Sequence, residues 1–215
     1  MKKIKNLLSI IGAFIGLVIF NMIVNDFIIA SSTGTGLALL TSGFVKTCTA
    51  RSGGCKNVWL GNRADIAAAG FTLSSGEYTA VTMESSKVFY KFAFDEDTAE
   101  HRWNAKVENK STSVTNEIEF YLGKMSTLMR TSMQQVLDIS PCGLVAIVED
   151  NNSVKWVYGY TENHPATSAS EGRPLAATEI SAASGKVFTD QNGANVILQA
   201  INNQAPLVFT GTVPV

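Results

Sequence analysis

The sequence predicts a mainly β protein: an antiparallel β-sandwich or small barrel with one flanking α-helix and a long β-hairpin extension, preceded by a hydrophobic N-terminal segment. Three observations carry this expectation. Between residues 88 and 122, apolar and polar side chains alternate with the period of strands that have one wet face. Residues 125–137 then switch to helical spacing. Charged residues make up only 16% of the 215, and the chain is rich in Thr, Ser, Ala, Gly and Val, a sheet-forming composition.

Residues 1–30 are a different kind of sequence. Lys2, Lys3 and Lys5 precede an apolar run over residues 7–24, and Asn25 and Asp26 follow it. A run of that length just spans a bilayer, and basic residues on its N-terminal side suit a cytoplasmic N-terminus. Three readings fit: a membrane anchor, a signal peptide with small residues at Ala30, Ser31 and Ser32, or an extension that the mature assembly does not contain. A membrane-inserted helix is the default among them. Ser31 to Gly36 is a flexible linker, and the β-rich domain is expected over residues 31–215.

Within that domain the first strand is expected over residues 37–48. Ser52, Gly53 and Gly54 mark a turn before the short apolar strand Val58, Trp59 and Leu60. Residues 71–73 and 78–83 flank a hairpin-like break at Ser74, Ser75 and Gly76. Val88, Tyr90, Phe92 and Phe94 then share one face, with Lys87 and Lys91 on the other. Beyond an acidic stretch, Trp103, Ala105 and Val107 alternate with Arg102, Asn104, Lys106 and Glu108. These two runs read as one long antiparallel pair whose tip holds Asp95, Glu96, Asp97 and Glu100. Ile118, Phe120 and Leu122 give a third strand.

Met125, Leu128, Met129, Met133, Val136 and Leu137 fall at helical spacing, and Pro141 and Gly143 stop the helix. A Met stripe can serve as an adaptable binding face. More often it is the core-facing side of a helix packed on a sheet, which is the reading taken here. Residues 144–148 and 154–158 form a hairpin around Asp150, Asn151, Asn152 and Ser153, where Asn tolerates positive φ. Residues 161–185 show no pattern. Val196, Ile197 and Leu198 read as a late core strand, and residues 207–209 as an edge segment.

The chain carries 17 basic and 18 acidic residues; without Lys2, Lys3, Lys5 and Asp26 it carries 14 and 17, a net charge of −3. That balance argues against tight electrostatic binding of nucleic acid. Three cysteines do not make a disulfide framework, though Cys48 and Cys55 could bridge in an oxidising compartment. A zinc site would need Cys48, Cys55, Cys142 and either His101 or His164 to converge, without the paired spacing such sites use. Inert thiols are the plainer reading. Neither histidine lies in a hydrolase or metalloprotease motif, and Gly34-Thr35-Gly36 lacks a third glycine and a preceding strand. The acidic stretch lacks the ligand spacing of a calcium loop. No catalytic residue, metal or cofactor is expected, and the chain is read as a non-enzyme.

The order of these elements resembles the tail tube proteins of tailed bacteriophages, in particular the divergent members from phages of Bacteroidetes-type hosts. The resemblance runs over residues 48–209. It rests on Gly53, Gly54, Trp59 and Leu60 followed by Asn62 to Ile66, on the exposed hairpin through Asp95 to Trp103, and on the strand ending Phe120-Tyr121-Leu122 that leads into the helix. It continues through Gly143 to Asn152, Trp156 to Tyr160, and Gly185 to Gly193. What it implies is a sandwich or small barrel assembling with itself as hexameric rings, stacked into a tube in the virion. DNA would pass through without sequence-specific binding, and other tail proteins would be neighbours. The hairpin formed by Val88, Tyr90, Phe92, Phe94, Asp95, Glu96, Asp97, Glu100, Arg102 and Trp103 would reach the adjacent subunit. Family members generally carry no anchor, so residues 1–30 depart from the pattern. The competing expectation is a membrane-anchored or exported β-domain that binds surface partners, at the bacterial membrane or cell surface.

Overall fold

The computed structural model describes residues 52–160, 173–187 and 190–215. The expectations for residues 1–30 and 37–48, for Cys48 and for His164 lie outside the described residues.

Eleven strands and one α-helix are described. β1 (Cys55–Asn62) leads through a short 3-10 turn into the hairpin β2 (Ile66–Ser74) and β3 (Glu77–Met83). β4 (Tyr90–Phe92), β5 (Ala99–Glu108) and β6 (Ser111–Gly123) precede the helix α1 (Thr127–Ile139). β7 (Leu144–Asp150), β8 (Lys155–Tyr158), β9 (Ala176–Ala183), β10 (Gly193–Asn202) and β11 (Leu207–Val208) complete the order. All sheet pairings are antiparallel. They build a five-stranded sheet in the order β11-β8-β7-β1-β4, a four-stranded sheet in the order β5-β6-β10-β9, and the β2–β3 ribbon. The expected mainly β sandwich with one helix is what the chain forms; the sheets do not close into a barrel.

Two apolar cores separate these layers. Between the larger sheets lie Val58, Leu60, Ile118, Phe120, Val148 and Leu198, with Met133 and Val136 of the helix. On the other side of the five-stranded sheet, Phe71 and Tyr78 of the ribbon pack with Val145, Ile147, Val157 and Phe209. β7 supplies both. Leu144, Ala146 and Val148 face the sandwich core, and Val145 and Ile147 face the ribbon core. A strand buried on both faces has no wet side to alternate with, so residues 144–148 read as an unbroken apolar run.

Several expectations are corrected. Residues 88–94 and 103–107 do not pair with each other. Tyr90, Lys91 and Phe92 pair with Leu60, Trp59 and Val58 of β1, whereas β5 pairs along its whole length with β6. The acidic segment is thus a crossover from one sheet to the other, not a hairpin tip. The long hairpin is β5–β6, turning at Asn109 (φ 50°) and Lys110 (φ 65°), as a turn matched to strand twist requires. Nor do Val88, Tyr90, Phe92 and Phe94 form one buried face. Tyr90 is 64% exposed, the other three are half-buried, and the fully buried side chain is Phe89.

The helix starts where Ser126 Oγ accepts from Met129 N (3.1 Å), and it ends as expected at the Ser140–Cys142 turn and Gly143. Its buried face is narrower than the sequence suggests. Met133 and Val136 are buried, and Met129 and Ile139 pack partly against the core. Met125, Leu128 and Leu137 are exposed. In the β7–β8 turn the positive φ falls on Ser153 (64°), not on an Asn, while Asp150 accepts from Asn152 N and Val154 N (both 2.9 Å). The patternless stretch contains β9, an edge strand of small side chains.

Candidate functional site

The features that point outward cluster on the four-stranded sheet and its surroundings. β5 starts inside the molecule. Ala99 is buried, and His101 Nδ1 meets the Tyr158 hydroxyl of the opposite sheet at 2.5 Å, beside the Trp156 ring. Burial lowers the His101 pKa below its ordinary value, opposed by the Asp150 and Glu100 carboxylates, so the imidazole is held neutral. The same burial, aided by Asp150 and Glu100, pushes the Cys55 thiol up to about 12. A thiol that reluctant to ionise is a poor nucleophile. Tyr158 is also shifted upward by burial. This polar contact joins the two sheets.

From Trp103 onward β5 leaves the cover of the opposite sheet. Trp103 (47% exposed), Ala105 and Val107 (69% exposed) continue the face that Ala99 and His101 began, now with solvent over it. Arg102, Asn104, Lys106 and Glu108 lie on the other face. Apolar side chains on a paired strand beyond the core are the usual mark of a partner surface. Of the expected hairpin residues, Glu100, Arg102 and Trp103 lie on this strand. Asp95, Glu96 and Asp97 are exposed in the crossover, and Phe92 and Phe94 pack towards Phe120 with ring centroids 5.9 and 6.4 Å away.

The outward face of the four-stranded sheet is polar. In register across it lie Glu100 and Arg102 of β5, Glu117 and Glu119 of β6, Asn195 and Gln199 of β10, and Glu179 of β9. Arg102 sits in a carboxylate cluster, bonded to Glu100 and Glu117 and 4.0 Å from Glu119. Asn195 Nδ2 donates to Glu119 (2.8 Å), and Gln199 Nε2 to Glu117 (3.3 Å). Exposed pairs of this kind each stabilise by less than ~1 kcal/mol. Their effect is on surface potential: Glu100, Glu108, Glu117, Glu119 and Glu179 outnumber Arg102 and Lys106.

Among the described residues both edges of this sheet lack a further strand, β5 at one end and β9 at the other. Beside β9 the exposed half of the methionine stripe forms a groove of about 570 Å³, lined by Met125, Met129, Met133, Leu137, Ile180 and Ala182. Sequence reasoning placed Leu137 and Met125 in the core and missed the groove. Its signal was the excess of apolar residues on α1 over what one helix face can bury.

Comparison of the chain with protein-family models, with curated proteins and with solved structures finds no match. Among the described residues no three His, Cys, Asp or Glu side chains are grouped to hold a metal ion, and no helix is long and apolar enough to cross a membrane.

Proposed function

We propose that the chain is a structural virion protein whose copies assemble into rings, and rings into a tail tube for phage DNA. The observation that carries this reading is the four-stranded sheet: two edges unpaired among the described residues, a far face rich in carboxylates, and exposed apolar side chains beside each edge. An open edge is a template for another strand, and closed rings are the arrangement that leaves none unpaired. Adding β5 of one subunit to β9 of the next would extend the sheet. It would carry Trp103 and Val107 towards the methionine groove of the neighbour. The same register would turn Glu117, Glu119 and Glu179 of every subunit to one surface. A lumen with that surface does not hold phosphates, so DNA slides without stalling. Other tail proteins would cap the tube.

Engineered cysteines test the contact. With Cys48→Ser and Cys142→Ser as background, Lys106→Cys on β5 and Ser181→Cys on β9 should cross-link between subunits under mild oxidation. The expected product is a ladder ending at one closed multimer. Monomer only, or dimers only, would contradict the heterologous contact. A second reading, a membrane-anchored β-domain, is favoured by the apolar run after Lys2, Lys3 and Lys5. Fractionation separates the two: particles for a tube protein, membranes for an anchored one.

A further inference from the structure

A second groove lies on the other side of α1, against the edge strand β4. It consists of two adjoining cavities of about 440 and 460 Å³ that share Tyr90, Phe92 and Gln135. Its apolar lining includes Leu60, Val136 and Ile139 in one cavity and Leu122 and Met129 in the other. Tyr90 on the strand and Leu128 on the helix stand largely exposed beside it. β4 is the last strand of its sheet. The N–H of Phe89 is taken by the Pro214 carbonyl (2.8 Å), so among the described residues the unpaired part of the edge is at Lys91. Open strand edge, apolar floor and helical wall together make a slot for an extended chain, whose backbone pairs with the edge while alternate side chains enter the cavities.

The charges select the occupant. Lys87, Lys91 and Lys124 line the groove against a single acid, Asp65, which already pairs with Lys87 (3.1 Å). Lys91 and Lys124 have no ion pair among the described residues, in a chain that is net acidic. The segment 37–48 of this chain carries Lys46 and no acid, so it is a poor complement. We propose that this groove binds an extended segment of another protein in which acidic residues are interspersed with apolar ones, added as a strand on β4. This proposal does not depend on the tube reading.

The probe is a display library of random linear peptides, selected on the full chain, followed by fluorescence anisotropy with the best peptide. The expected sequences are rich in Asp and Glu among Val, Ile, Leu and Phe. Affinity should fall by about tenfold or more in the double variant Lys91→Glu/Lys124→Glu. It should fall likewise in Gln135→Trp, which plugs the point the cavities share. Lys106→Glu, on the remote β5, should bind as the parent does. Lys91, Lys124 and Gln135 are exposed, so these variants keep the fold, which circular dichroism verifies. No enrichment, enrichment of basic or uncharged peptides, or binding that survives both groove variants would overturn the proposal. So would DNA binding by the parent that the double variant loses, because the groove would then serve nucleic acid.

Discussion

Replacing Ile147 by Ala tests whether the second core holds the ribbon to the five-stranded sheet. Ile147 is fully buried, on the face of β7 that meets Phe71, Tyr78 and Phe209. The substitution removes three side-chain carbons. At ~0.8 kcal/mol for each, the lost transfer free energy is ~2.4 kcal/mol. Neighbouring strands are fixed by hydrogen bonds on both sides of β7, to β1 and β8, so the site collapses little and a cavity term adds. The expected total is ~3–4 kcal/mol, within the span seen for such changes. That corresponds to a fall in Tm of roughly 6–16 °C for a chain of this size. Urea denaturation of the full chain should show the midpoint move with the slope unchanged. The control is Ile197→Ala, a half-buried residue on the outward face of the four-stranded sheet, which should cost less than half as much. Equal losses in the two variants would refute the two-core arrangement.

Further expectations follow from individual sites. Met133→Asp should abolish folding, because an unpaired buried charge costs as much as the whole domain is worth; Leu128→Asp, at a position 77% exposed, should leave the thermal melt nearly unchanged. Gly159→Ala should cost ~2–4 kcal/mol, because the backbone is at φ 78° and a Cβ would sit 2.5 Å from the Leu144 carbonyl and 2.8 Å from Leu175 N, where the two residues bond reciprocally. Gly76→Ala, at φ 85° with nothing within 4 Å, should show only the conformational part, ~1 kcal/mol. For His101 the folded pKa lies below the unfolded value of 6.5, so the unfolded chain takes up protons first on acidification. This residue's contribution is complete above pH 6.5 and is lost as pH falls through the folded value; His101→Gln should flatten the acid limb of a Tm-versus-pH curve. Cys55 acts at the other end, its contribution fading as pH rises from 9.0 to about 12, and Cys55→Ala should flatten that limb.

Local periodicity made much of the fold legible. The β2–β3 and β7–β8 hairpins are bounded by turn residues at Ser75-Gly76 and Asn151-Asn152, and the end of the helix by Pro141 and Gly143; its start, read at Met125, lies at Thr127 behind the Ser126 cap. Strand partnership was not legible. Alternation at Phe92 and at Trp103 says which side is wet, not which strand lies alongside, and two consecutive alternating runs invite a hairpin. Here the segment between them, Asp95 to Asp97, instead carries the chain across the sandwich, with Phe89 buried in the ribbon core and Phe92 and Ala99 packed in the sandwich core from opposite sheets. β9 stayed hidden because a strand of mostly Ala, Ser and Thr with Ile180 as its one large apolar side chain has almost no hydrophobic signal; its register comes from β10. The helix face was overestimated because spacing alone counts Leu128 and Leu137 with Met133. A helix resting on the rim of a sandwich buries only residues such as Met129, Met133 and Val136, at i, i+4 and i+7. The outward grooves follow from these same residues, so they too became visible only with the packing.

The central claim is that copies of this chain join through β5 and β9 into closed rings. Negative-stain microscopy of the purified full chain, beside the variant Trp103→Asp/Val107→Asp, tests it most directly. Rings with a central channel, some stacked into tubes, are expected from the parent. The variant should give dispersed subunits with an unchanged circular dichroism spectrum. A parent that stays monomeric at every concentration, or a variant that forms the same rings, would contradict the account.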